Sequence, residues 1–213
     1  MKLIEEEDYK EELLNSLTHG LGLILCIVAI PVLMTCAAAK GGALNIGSVA
    51  VYALTLILVY ASSTVYHSVT DRAIKEWMQL IDHLCIYLLI AGSYTPFLVI
   101  FIHNSWFWVA LLWTLALIGM VLKCITGCNK YAWFSIAFYI AMGWVGLLNV
   151  SDIYTILPIK TTYLLIAAGV IYSLGVIFFV WDNLKYNHAI WHLFVMAGSA
   201  THFASLMYAL NYG

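Results

Sequence analysis

Charge is what this sequence has least of. Asp, Glu, Lys and Arg make up 9% of the 213 residues, against about 25% in an ordinary soluble domain. Such a chain cannot cover its own surface in water. With 64% of its residues hydrophobic, it does not read as a soluble enzyme or binding module. An excess of positive charge is also missing. Nine Lys and Arg against eleven Asp and Glu leave a formal net charge of -2, which removes the electrostatic basis for a nucleic-acid partner. The pattern of a cleavable leader is absent. The first residues, MKLIEEEDYKEE, are acidic rather than basic, no small-residue cleavage pattern follows the first apolar run, and that run is expected to be a retained helix. The five cysteines, Cys26, Cys36, Cys85, Cys124 and Cys128, are odd in number and mostly lie inside apolar runs, which speaks against a disulfide framework. Cys124 and Cys128 are spaced C-x3-C. Coincidence on one helix face is favoured there over a metal or redox pair.

What is abundant is apolar sequence in long runs. A helix crossing a bilayer takes about 20 apolar residues, and seven such runs fall at about 17–39, 44–67, 78–101, 105–123, 131–150, 161–181 and 188–210. The separators between them, such as KGGA at 40–43 and DNLKYN at 182–187, are too short for an extramembrane domain. Alternating segments of about ten residues, the mark of a β-barrel, do not occur, so the spans read as helices. No internal repeat is evident, which weighs against an inverted-repeat transporter. The expected fold is all-α: a multi-pass protein of the cell membrane with seven transmembrane helices. These form a single heptahelical domain over residues 1–213, with a short cytoplasmic segment at about 1–16. Lys2, Lys10, Arg72, Lys75, Lys123, Lys130 and Lys185 fall on one side of this arrangement, and Lys40 and Lys160 on the other. The positive-inside rule then places the N-terminus in the cytoplasm and the C-terminus outside. Several aromatic residues (Trp77, Trp106, Trp108, Trp133, Trp181) stand at span ends, as interfacial belts do.

Ionisable residues inside a span are costly and point to function. His67 ends the second run, Asp82 sits about one turn into the third, and His188 and His192 open the seventh, so four potential ligands from three helices share one membrane depth. His188 and His192, at i and i+4, stand one above the other on a helix face, as two imidazoles on one ion must. Ser63 and His67 repeat that spacing, so the hydroxyl points into the same space one turn deeper. Three neutral histidines with an open fourth position are the arrangement of a catalytic zinc. Asp82 would either bind the metal weakly or take a proton from water on it, while its neighbour His83 points about 100° away around the helix. A metal-free polar cluster that glues helices together accounts for the same residues.

The segments EELLNSLTHG at 11–20, SSTVYH at 62–67, IDHLCIYLLIAGSYTPF at 81–97 and NHAIWHLFVMAGSATHF at 187–203 resemble the haemolysin III branch of the progestin and adipoQ receptor family. That family shares a membrane-hydrolase superfamily with the alkaline ceramidases. The resemblance implies His67, His188 and His192 as Zn2+ ligands, Asp82 as the residue holding a water on the metal, and Ser63 beside the site. It implies a heptahelical bundle, and it leaves activity open among ceramide hydrolases, hormone-responsive receptors and proteins named for haemolysis. Glu12 and His19 lie in its N-terminal motif and read either as a second layer over the zinc site or as interfacial anchors. His202, about 15 Å deeper than His192 by helical rise, cannot share that metal. It reads first as a buried helix-to-helix hydrogen bond and second as part of a substrate cavity. Gly92, Ser93 and Pro96 suggest a bend that opens space above Asp82.

The expected function is hydrolysis of a membrane-lipid amide or ester by a zinc-dependent integral-membrane enzyme, with Asp82 as general base and Ser63 bonding either the water or the developing oxyanion. A receptor-like or lipid-sensing protein with a structural zinc is the alternative, and a membrane-permeabilising haemolysin is a third. The orientation is testable by labelling in a background lacking the native cysteines. A cysteine at Asn187 should react only with reagents reaching the cytoplasmic side, and one at Asn104 only from outside. The reverse pattern would invert the arrangement.

Overall fold

The computed structural model describes residues 6–103, 105–128, 132–147 and 154–213. Lys2, Lys130 and Asn104 of the expectations above lie outside these. All long elements among the described residues are helices: α1 Glu6–Lys40, α2 Ala43–Ser68, α3 Arg72–Phe101, α4 Trp106–Thr126, α5 Ala132–Val145, α6 Ile159–Phe179 and α7 Asn187–Tyr212. Six of them, all but α5, are long and apolar enough to cross a bilayer. α5 is apolar but 14 residues long. Residues 148–150, where that run is expected to continue, lie outside the described residues.

Local chemistry sets the helix ends. Gly41 and Gly42, at φ 74° and 83°, take the left-handed conformations that turn α1 into α2 without a Cβ penalty. Asp71 caps α3 by accepting from the Ile74 amide at 3.0 Å, which brings the helix start forward from the expected position near residue 78 to Arg72. The larger correction is at α1, which begins at Glu6 rather than near residue 17. The stretch EEDYKEELLN holds no Gly or Pro and is rich in good helix formers. The expected segment at about 1–16 is therefore helical from Glu6 onward, and Glu11, Glu12 and Asn15 ride on a helix face.

The helices pack as a ring of sequential neighbours, α7 closing onto α1, with α3 also reaching α5 and α7. The most extensive pairs are α2 with α3 and α6 with α7. Where α2 meets α3, Gly92 lies against Thr55 so closely that a Cβ there would collide with the threonine side chain. Gly92 therefore serves close packing against α2, and α3 stays helical through Pro96. The outward faces are apolar: Val28 is 69% exposed and Ile125 76%. In water such surface would be unfavourable by about 25 cal/mol per Å², and against lipid it is at home. The protein is a multi-pass integral membrane protein.

Candidate metal centre

His67 lies in the last turn of α2, and His188 and His192 lie in the first two turns of α7. One ligand atom from each comes within 4.8 Å of the other two, and among the described residues these three histidines form the group able to hold a metal ion. The ring centroids are 4.5 Å apart for His188 and His192, and 5.0 and 5.2 Å from His67 to each in turn.

Hydrogen bonds orient two of the three rings. His67 Nδ1 lies 3.0 Å from Glu12 Oε2. A carboxylate only accepts, so Nδ1 carries the proton and Nε2 keeps its lone pair. That Nε2 is buried and has no protein partner. His192 Nδ1 donates to the Asn15 carbonyl at 3.2 Å and lies 3.1 Å from Thr18 Oγ1, which leaves its Nε2 as the lone-pair atom too. An imidazole held by its other nitrogen is the usual condition of a metal-ligating histidine. With one nitrogen of each ring within 4.8 Å of the other two, the residues present fit a metal. Three neutral imidazoles suit zinc as well as other divalent transition metals.

Sequence reasoning missed the elements that hold this arrangement. Lys75 Nζ donates to the same Glu12 Oε2 at 2.6 Å and to the Tyr66 carbonyl at 3.3 Å, tying α1, α2 and α3 together. Glu11 Oε1 accepts from the Tyr186 amide at 3.1 Å, where the backbone turns left-handed just before α7. Asn15 and Thr18 were missed as partners of His192. Glu12, Asn15 and His19, at i, i+3 and i+7, share one face of α1, a signal that depends on the helix beginning at Glu6.

Asp82 and Ser63 line the same cavity as the three histidines, and Asp82 stands outside the group of mutually close ligand atoms. Ser63 Oγ is buried without a partner. His19 stacks on His192 with centroids 3.5 Å apart, and neither of its ring nitrogens is bonded. His83 also lines the cavity, and its carbonyl accepts from Tyr139 at 2.9 Å. The hydrogen bond expected at His202 is not made, since both its ring nitrogens are buried and unpartnered. It too faces the cavity, which measures about 790 Å³ and is lined from all seven helices. Cys124 and Cys128 are free thiols.

A profile of the haemolysin-III related family matches residues 7–203. This chain belongs to that family. The matched stretch takes in every residue of the site, from Glu12 to His202. The haemolysin-III related chain is 40% identical over 201 residues to Hemolysin-3 of Bacillus cereus, covering 93% of this chain and 91% of that one. It is 38% identical over 201 residues to the Hemolysin-3 homolog of Bacillus subtilis (strain 168), covering 93% and 94%. It is also 30% identical over 168 residues to the monocyte to macrophage differentiation factor of Homo sapiens, over 73% of this chain and 67% of that one. That protein is a member of the progestin and adipoQ receptor family.

Metal analysis of the purified haemolysin-III related protein should find about one divalent ion per chain, and His67→Ala, His188→Ala and His192→Ala should each remove most of it. Glu12→Ala should weaken metal affinity by about 10–100-fold through loss of the His67 partner. His103→Ala, at the α3–α4 turn, should change nothing. Equal loss in all these variants would contradict the site.

Proposed function

We propose that this haemolysin-III related protein is a zinc-dependent integral-membrane hydrolase of a lipid amide or ester. Its bundle has seven spans, with α5 completed as one of them, and the N-terminus is in the cytoplasm. The observation that carries this reading is the setting of the three imidazoles. One ring nitrogen from each lies within 4.8 Å of the other two, on the wall of a largely apolar cavity that Asp82 and Ser63 also line. A purely structural cross-link needs no such cavity, and its volume of about 790 Å³ lies within the range of small-molecule sites.

His67, His188 and His192 would hold the ion. Bound zinc supplies Lewis acidity, which polarises a carbonyl and makes water more acidic. Asp82 then takes the proton of the attacking water and returns it to the leaving amine or alkoxide. Ser63, which stands beside Asp82, donates to the carbonyl oxygen as negative charge develops on it. Glu12 and Asn15 hold imidazole tautomers, and the apolar walls bind the acyl chain and exclude bulk water.

A receptor-like protein with a structural metal is the second reading. It is supported by the way Glu12 and Lys75 already tie α1, α2 and α3 together. Asp82→Asn separates the two, because it keeps size and shape but removes the base. The hydrolase reading expects zinc content to fall little and release of fatty acid from candidate lipids in nanodiscs to fall by about 10²–10⁴-fold. A lipid-hydrolysing preparation that keeps its full rate as Asp82→Asn would refute the general-base role.

A further inference from the structure

The cavity does not end at the three histidines. On α7 the residues His192, Val195, Ser199 and His202 follow at intervals of three, four and three, so one helix face leads from the cluster to His202. His202 is 6% exposed, lines the same continuous cavity, and has neither ring nitrogen bonded. Rings from α2 and α3 surround it: Tyr52, Phe97 and Tyr94, with centroids at 5.4, 5.3 and 6.1 Å. The hydroxyl of Tyr52, itself 1% exposed, is unpartnered as well. Its neighbour one turn up α7, Ser199, is already paired with Tyr172 at 2.8 Å.

A neutral imidazole offers one donor and one acceptor. Leaving both unmade against apolar walls is unfavourable, and the cavity is where a partner can enter. None of the rings packed on His202 is charged, so the site has no counter-ion for a charged guest. A hydroxyl fits, because it can accept from one ring nitrogen or donate to the other. The distance from His192 to His202 along the helix is about 15 Å.

We infer that the deep end of the cavity is a second polar subsite, in which His202, backed by Tyr52, binds a hydroxyl on the chain of a long-chain amphiphile whose head lies at the three-histidine cluster. The choice of occupant rests on the lipid reading proposed above and narrows it. The favoured ligand carries its hydroxyl about ten to twelve chain bonds from the head.

The test compares saturable binding of 12-hydroxystearic, 2-hydroxystearic and stearic acids to the purified full-length protein in nanodiscs, read by displacement of a fluorescent fatty acid. The 12-hydroxy acid should bind about tenfold or more tightly than stearic acid. The 2-hydroxy acid, whose hydroxyl lies at the head, should owe no preference to His202. His202→Phe keeps a ring but removes both hydrogen-bonding atoms, and should erase the 12-hydroxy preference while leaving metal content unchanged. His202→Gln should retain part of it, and Tyr52→Phe should reduce it. If His202→Phe does not fold, as judged by lost metal, Tyr52→Phe and His202→Gln carry the comparison.

Equal affinities in the unaltered protein would overturn the subsite and leave His202 to an ordered water. A preference that survives in the His202 variants, or the absence of saturable binding by any of the acids, would overturn it too. Measuring lipid release alongside binding on the unaltered protein separates the two proposals. A persisting 12-hydroxy preference without any lipid release in the unaltered protein defeats the hydrolase and leaves the subsite. Lipid release without that preference defeats the subsite alone.

Discussion

The hydrogen bond from His67 Nδ1 to Glu12 Oε2, 3.0 Å long, is the contact on which the rest of the site depends. His67 is 6% exposed, and an imidazole in such a place must be partnered or bear the cost of desolvation. Glu12 meets that need on one side of the ring, and Lys75 neutralises Glu12 at 2.6 Å. The far nitrogen is thereby left as a bare lone pair facing His188 and His192. Without the early start of α1 there would be no Glu12 in reach. The acidic face of α1 is thus part of the site's architecture.

The same constraint explains where polarity sits in this protein. The lipid-facing surface carries residues such as Val28, Ile125 and Phe107, while Asn15, His19, Ser63, His67, His192 and His202 are all buried. In a bilayer a buried polar group that points inward is tolerable only if it is partnered or lines a cavity. His192 is partnered by Asn15. Ser63 and His202 are not partnered, and both line the cavity. The unmet hydrogen-bonding capacity of Ser63 and His202 therefore lies on the wall of one chamber, where a ligand would be able to use it. Close helix contacts such as Gly92 on Thr55 hold α3 against α2.

Much of this is legible in the sequence, because bilayer physics is read one residue at a time. Six of the apolar runs correspond to helices long enough to span, and the i, i+4 spacing of His188 and His192 is enough by itself to announce a shared face. The haemolysin III resemblance rests on the same segments. What escapes a sequence reading is long-range or conformational. The start of α1 is hidden because EEDYKEE has no apolar periodicity, only helix propensity. The partnership of Asn15 with His192 joins residues at opposite ends of the chain, and no local pattern encodes it. As sequence, His202 reads as a helix-to-helix hydrogen bond because a buried histidine normally has a partner. Its two bare nitrogens become visible only when the cavity beside them is seen. Gly92 looks like a source of slack, and it is a point of close approach.

The central claim is that three imidazoles from α2 and α7 form the metal site. X-ray absorption at the metal edge of the purified, full-length protein tests it most directly, since nitrogen and sulfur ligands differ in distance. The account predicts a first shell of light atoms only, with imidazole scattering and metal–nitrogen distances of about 2.0–2.1 Å for zinc. A sulfur shell near about 2.3 Å would put the metal on cysteines such as Cys124 and Cys128 and contradict the account, as would a spectrum without imidazole scattering.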